Sequence, residues 1–149
     1  MSLAPASTPL AEHVTRLRAR YCECDPMGVV HHASYVPWLE IGRTELLRGS
    51  GTSYAALEAA GVLLVIVKLD VRYRRSARYD DLIEVRTRWV GGSRVKLLHD
   101  YEVAVIEPGT PTPDFVPFTA VAASTTLACV DRDGAVRELP EWLVMPRGG

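Results

Sequence analysis

The chain has 149 residues, 17 Lys and Arg against 18 Asp and Glu, and a hydrophobic fraction of 48%. That length and composition fit one soluble globular domain with a sizeable core. A net charge of -1 carries no basic bias toward nucleic acid, and the longest strongly apolar run, Gly61 to Val67, is too short for membrane insertion.

In chain order, MSLAPASTPL lacks the basic region and apolar stretch of a secretory signal. Residues 1–12 are therefore expected to form a flexible tail, and 13–149 a single domain. The three cysteines, Cys22, Cys24 and Cys129, make a poor disulfide framework and read as reduced thiols of a cytoplasmic protein. Five segments alternate with period two, the signature of half-buried strands. HVTRLRARY (13–21) sets Thr15, Leu17, Ala19 and Tyr21 against three arginines. VKLDVRY (67–73), IEVRTRW (83–89) and VKLLHDYEVAV (95–105) alternate in the same way. The fifth, Phe118 to Val130, is apolar on both faces and is expected at the centre of the sheet. Gly91-Gly92 marks a hairpin, and EPGTPTPDFVP, Glu107 to Pro117, an exposed loop.

One segment follows the helical period instead. Tyr35, Trp38, Leu39, Gly42 and Leu46 recur on one face, with Ser34 as N-cap, Pro37 in the first turn, and Gly49 and Gly51 as stops. Tyr54 to Ala60 predicts a short second helix and Glu141 to Met145 a terminal turn. The pattern implies an α+β fold in which one long helix packs on a five-stranded antiparallel sheet. One helix of about 16 residues cannot cover such a sheet, so the remaining apolar surface and open edge call for a homodimer.

Chemistry concentrates in CECDPMGVVHHASYVPWLE, residues 22 to 40. Zinc ligation fits it poorly, because Cys-x-Cys is tighter than the usual ligand spacing and adjacent histidines point apart; no metal is expected. Asp25 opens an Asp-Pro-Met-Gly turn between strand and helix. It reads either as a turn carboxylate or as a catalytic one. In the second reading, free N–H groups at the helix start, His32 to Ser34, polarise a carbonyl while Asp25 attacks it or activates water. No Gly-x-Ser-x-Gly nucleophile elbow occurs.

CDPMGVVHHASYVPWLE resembles the signature of the 4-hydroxybenzoyl-CoA thioesterase family of hotdog-fold enzymes, and SARYDDLIEVRTRW (76–89) resembles that family's entry into a strand. The resemblance runs from the first strand through Val130. It implies a hotdog fold, with the sheet wrapped around the long helix, and hydrolysis of an acyl-CoA thioester without any cofactor. Position by position, it assigns Asp25 as nucleophile or general base and the His32 backbone N–H as the donor to the thioester oxygen. Glu40 falls where the family carries an acid against the acyl group, and Tyr35 and Trp38 accompany it as expected substrate contacts. Arg94 matches a position near the CoA phosphates, with Arg74 and Arg75 as further candidates. The family's assembly implies a homodimer doubled to a tetramer. Two other readings are compatible with the residues: a hotdog enoyl-CoA hydratase using Asp25 with a histidine, and a non-catalytic acyl-binding or assembly protein.

Overall fold

A computed structural model of the chain describes residues 9–144. Most of the expected N-terminal tail, and Met145 of the expected terminal turn, lie outside the described residues. Five strands, β1 (Glu12–Arg18), β2 (Leu63–Tyr73), β3 (Leu82–Gly92), β4 (Lys96–Glu107) and β5 (Phe118–Val130), form one sheet. The order is β1-β3-β4-β5-β2 and every pairing is antiparallel. Helix α1 (Tyr35–Gly49) lies between β1 and β2 in the chain, followed by the short helix α2 (Tyr54–Ala59). The expected α+β architecture of one long helix on a five-stranded antiparallel sheet is what forms.

The departures from expectation have local causes. The first strand is expected to reach Tyr21 but ends at Arg18. The Arg20 N–H turns to the Glu23 carboxylate at 2.7 Å, and Tyr21–Glu23 closes into a 3-10 turn. β2 starts at Leu63 rather than Val67, because a bulge between Ile66 and Lys68 changes the phase of alternation and hides the period. β5 is interior but not central; β4 takes the centre. The outward positions of β5, Ala122, Ser124, Thr126 and Ala128, are small residues rather than a second core-facing set. Ser34 does not cap α1 through its side chain; its hydroxyl donates to the Glu23 carbonyl at 2.9 Å.

α1 buries Tyr35, Trp38, Leu39, Gly42, Arg43, Leu46 and Leu47, the residues of one helical face. That face meets the inward side chains Ile83, Val85, Tyr101, Val103, Val105 and Val121, all buried. A second apolar cluster joins Leu47 to Leu57, Val62, Leu97, Leu127 and Leu143 at the other end of the helix. Each fully buried Leu, Val or Ile contributes about 1.5–3 kcal/mol relative to exposure, so these clusters are what hold helix to sheet. The closest approach is at Gly42. A Cβ there would meet Val85 Cγ1 at 2.8 Å and overlap Thr87 Oγ1. Only glycine lets the helix backbone lie so near β3.

A polar cluster is enclosed between α1 and the sheet. Arg43 donates to the Tyr101 hydroxyl at 3.2 Å, and that hydroxyl shares a 2.7 Å hydrogen bond with Thr125. His99, 5% exposed, lies beside them on β4. Burial, and then the Arg43 charge, push the His99 imidazole down from its ordinary 6.5 to about 3. The unfolded chain therefore takes up this proton first as pH falls. The contribution of neutral His99 is fully present above about pH 6.5 and is lost progressively toward about pH 3. The unfolding free energy measured by denaturant titration should fall as pH drops from 6.5 to 5, before most carboxylates titrate, by up to about 1.4 kcal/mol per pH unit. His99→Gln should flatten that slope; an unchanged slope in the variant would remove His99 as its source.

Candidate active site

The polypeptide between β1 and α1 is a small hydrogen-bonded unit. Cys24 and Val30 form an antiparallel bridge, and the Asp25 N–H donates to the Val29 carbonyl at 2.9 Å. Inside that bridge Asp25-Pro26-Met27-Gly28 makes a tight turn. The Gly28 N–H donates to the Asp25 carbonyl at 3.0 Å, and the positive φ of Gly28, 79°, is one that glycine adopts freely. Asp25 Oδ1 accepts from the Met27 N–H at 2.9 Å. Asp25 is thus a turn carboxylate, as its dipeptide suggests, through one oxygen; its second oxygen has no hydrogen-bond partner among the described residues. The turn is fastened to the β2–β3 connection by a Val29–Arg78 bridge and by the Val30 N–H donating to Ala77 at 2.8 Å.

The chain then enters the helix through a 3-10 turn, His32–Ser34, continuous with α1. The first N–H groups of such a segment lack intrahelical acceptors, and here most are satisfied in other ways. The His31 N–H goes to the Glu23 carbonyl at 2.8 Å, Ala33 to His31 Nδ1 at 3.1 Å, and Ser34 to the His31 carbonyl at 2.8 Å. The His32 N–H has no acceptor among the described residues. Its own carbonyl accepts from the Tyr73 hydroxyl at 2.7 Å. The two adjacent imidazoles stack, their centroids 4.1 Å apart, so His31 is occupied in capping and stacking.

Asp25 and His32 line one cleft of about 380 Å³, together with Tyr35, Tyr73, Arg74 and Arg75. A larger concavity of about 630 Å³ lies on the face of the sheet turned away from α1, among Lys68, Arg72, Arg86, Arg88, Asp100 and Glu102. It contains neither Asp25 nor His32, and some of its charges are paired, as in Arg72–Asp70 and the contacts of Arg86 with Glu12 and Glu84 at its margin. The candidate residues Asp25 and His32 therefore meet in the smaller cleft.

The other candidate residues are dispersed. Tyr35 lines the cleft but is 2% exposed, and its hydroxyl accepts from the Ala77 N–H at 3.0 Å; burial raises its pKa. Trp38 is 1% exposed and lies in the core, its indole N–H given to Glu23 Oε2 at 2.7 Å, so within this chain it offers no surface to a substrate. Glu40 is exposed on α1, outside the cleft. Arg75 lies over the Phe118 ring, 4.0 Å from its centroid, at the cleft margin with Arg74. Arg94 sits in the β3–β4 hairpin. Arg18 pairs with Leu82 at the opposite end of β3, so Arg94 lies about 35 Å along the strand from the Asp25 end. Tyr73, which holds the His32 carbonyl, is not singled out by the sequence; Glu23, which the sequence offers as a solvated loop acid or a supporting residue, is 7% exposed. Tyr73 at the end of an apolar alternation carries no signal for that role. For Glu23, the only signal is an acid two residues before Asp25.

Residues 20–145 match the family model described as the thioesterase-like superfamily. A Bacillus subtilis protein named, provisionally, as an acyl-CoA thioesterase is 28% identical over 87% of this chain and 93% of its own length. An acyl-CoA thioester hydrolase of Escherichia coli O157:H7 is 45% identical over 71 residues, 48% of this chain and 53% of that protein. Among solved structures, a DHNA-CoA thioesterase from Staphylococcus aureus superposes with a TM-score of 0.75 at 30% identity, covering 86% of this chain and 80% of that one. A 4-hydroxybenzoyl-CoA thioesterase in complex with 4-hydroxybenzoyl-CoA superposes with a TM-score of 0.76 at 19% identity, covering 89% and 95%. The last shares the fold, which is the expected hotdog arrangement.

The cap at the helix entrance makes one prediction. His31→Ala removes the acceptor for the Ala33 N–H and should lower stability by about 0.5–1 kcal/mol, whereas His31→Asn, a good N-cap, should recover most of it. Urea denaturation of the three proteins measures the difference; equal stability of all three would show that the cap is energetically idle.

Proposed function

The chain belongs to the thioesterase-like superfamily, and we propose that it hydrolyses acyl-CoA thioesters, with the Asp25 carboxylate and the His32 backbone N–H as its reacting and polarising groups. The observation that carries the reading is that a carboxylate with an unpartnered oxygen and a backbone N–H with no acceptor line the same cleft. The N–H lies at the positive end of α1, where a developing oxyanion is stabilised by both the donor and the helix dipole. Asp25 acts in one of two balanced ways. It attacks the thioester carbon, expelling CoA thiolate and leaving a mixed anhydride that water cleaves, or it takes a proton from a water that attacks directly. Either route yields the free acid and CoA, and neither needs a resident metal or redox cofactor.

Arg74 and Arg75 at the cleft margin supply positive charge suited to the CoA phosphates. The acyl group, aryl or aliphatic, would enter along Tyr35 and Tyr73. Glu40 and Arg94 meet this cleft only if a second subunit brings them there. A homodimer is the natural means. β2 is an edge strand with Val65, Ile66, Val67, Leu69 and Tyr73 between 40% and 55% exposed, and such an edge is ordinarily covered by another strand. Pairing β2 with its copy would extend the sheet and bring a second chain close to the Tyr73 wall of the cleft. A doubling to a tetramer remains part of the proposal. Among the described residues no helix is long and apolar enough to cross a membrane.

Asp25→Asn should lower turnover by about 10²-fold or more with the fold retained, measured as thiol release from a panel of acyl-CoA substrates. His32→Tyr, which keeps the backbone N–H, should stay within about tenfold of the parent. A folded Asp25→Asn protein with normal turnover would refute the carboxylate mechanism, and an equal loss at His32→Tyr would assign its imbidazole ring rather than its backbone. Val67→Lys with Leu69→Lys, which places charge on the open edge, should shift the particle from dimer to monomer in light scattering and reduce activity with it. A fully active monomer would exclude a shared site.

A further inference from the structure

We propose that Glu23 is the positioning residue that sets the spacing between the Asp25 carboxylate and the His32 N–H, acting through Trp38; this rests on the thioesterase reading of the cleft. Glu23 lies two residues before Asp25, yet it is buried, and its carboxylate and carbonyl join the turn after β1 to the helix and its entrance. Its carboxylate binds two donors that approach from different elements. Oε1 accepts from the Arg20 N–H and Oε2 from the Trp38 indole N–H, both at 2.7 Å. Its backbone carbonyl accepts from the His31 N–H at 2.8 Å and the Ser34 hydroxyl at 2.9 Å.

The strand leaving β1, the turn that carries Asp25 and the first turns of the helix therefore converge on one residue. One side of this clamp is two residues from the carboxylate, and the other is one residue from the N–H. Trp38 is itself immobilised: it is 1% exposed, and its ring packs edge-on against Tyr35 at 5.1 Å. The helix thereby gives the loop a rigid reference. Hydrogen bonds to an ionised acceptor are short and strong, and they are worth more where water is excluded. Among the described residues the one cation paired with Glu23, Arg20, is 72% exposed and 3.4 Å away, so the arrangement is a hydrogen-bonded clamp more than an ion pair.

The chemistry requires a carboxylate and not merely a polar side chain. An amide has a single oxygen. In Glu23→Gln one of the two N–H donors must face an NH₂ group, which forces the loop away from the helix. Catalysis is sensitive to such shifts, since a displacement of about 1 Å can cost about 10²-fold in rate. Substrate affinity drawn from remote contacts such as Arg74 and Arg75 should change far less.

The test measures kcat and KM separately for Glu23→Gln, Trp38→Phe and the double variant, with folding checked by circular dichroism and thermal melting. Glu23→Gln should lower kcat about tenfold with KM within about twofold. Trp38→Phe should lower it about fivefold. The double variant should be no worse than the poorer single, because the glutamine amide no longer opposes an indole N–H. A folded Glu23→Gln enzyme with kcat within about twofold of the parent, losses that simply multiply, or a change confined to KM would overturn the proposal. Hydrogen exchange at the His31 amide supplies a readout independent of turnover, and Glu23→Gln should speed it at least about tenfold. If Asp25→Asn turns over normally, the carboxylate mechanism fails by itself, and the exchange rate still decides whether Glu23 holds the segment; unchanged exchange would refute it.

Discussion

Helix α1 can lie against β3 only because Gly42 lets the two backbones approach, and the placement of the cleft follows from that contact. Thr87 and Val85 occupy the space that a side chain at position 42 would need. With that point of contact settled, the flanking apolar residues find their partners on either side: Tyr35, Trp38 and Leu39 in one cluster, Leu47 in the other. The helix start then falls beside the end of β1, where the Asp25 turn also lies. A shift of the helix by one turn, about 5.4 Å, would carry the His32 N–H out of the cleft altogether.

The site shows how a backbone donor is kept available. Nearly all polar backbone groups in folded proteins are paired, and the neighbours of His32 follow that rule. His31, Ala33 and Ser34 each have an acceptor within the loop or its cap. Their pairing orients the intervening peptide, and the Tyr73 hydroxyl holds the carbonyl of His32 from the sheet side. The N–H that remains is thus pre-oriented, which in the proposed mechanism keeps reorganisation small as negative charge develops on a bound carbonyl. Asp25 is arranged in a comparable way, with one oxygen committed to the turn and the other free.

Charge on the opposite face of the sheet serves a different purpose. Arg16, Arg86 and Arg88 pair with Glu12 and Glu84 across β1 and β3. Exposed pairs of this kind contribute about 0–1 kcal/mol each, so they keep that face solvated more than they stabilise it. The open apolar edge is β2, the strand nearest to Tyr73 and the cleft wall. The proposed assembly at that edge would therefore set a second chain beside the wall of the cleft.

Local chemistry was legible in the residues themselves. Period-two alternation located all five strands, and a 3.6-residue stripe located α1, because each reports which side of an element is dry. Asp-Pro-x-Gly announced the turn at Asp25, and the stretch from Cys24 to Glu40 carried the family's signature. What the sequence alone could not decide were matters set by contacts between distant segments. The bulge at Val67 concealed the first residues of β2, and the strand order placed β4 rather than β5 at the centre. Trp38 looked like a possible pocket residue and Glu23 like a loop acid; their mutual hydrogen bond buried both. Arg94 matched a position near the CoA phosphates, but within one chain it lies past the end of β3 remote from Asp25. Periodicity follows from the geometry of a single element, whereas burial of a polar group depends on the partner that reaches it, and that partner is chosen only when the helix docks on the sheet.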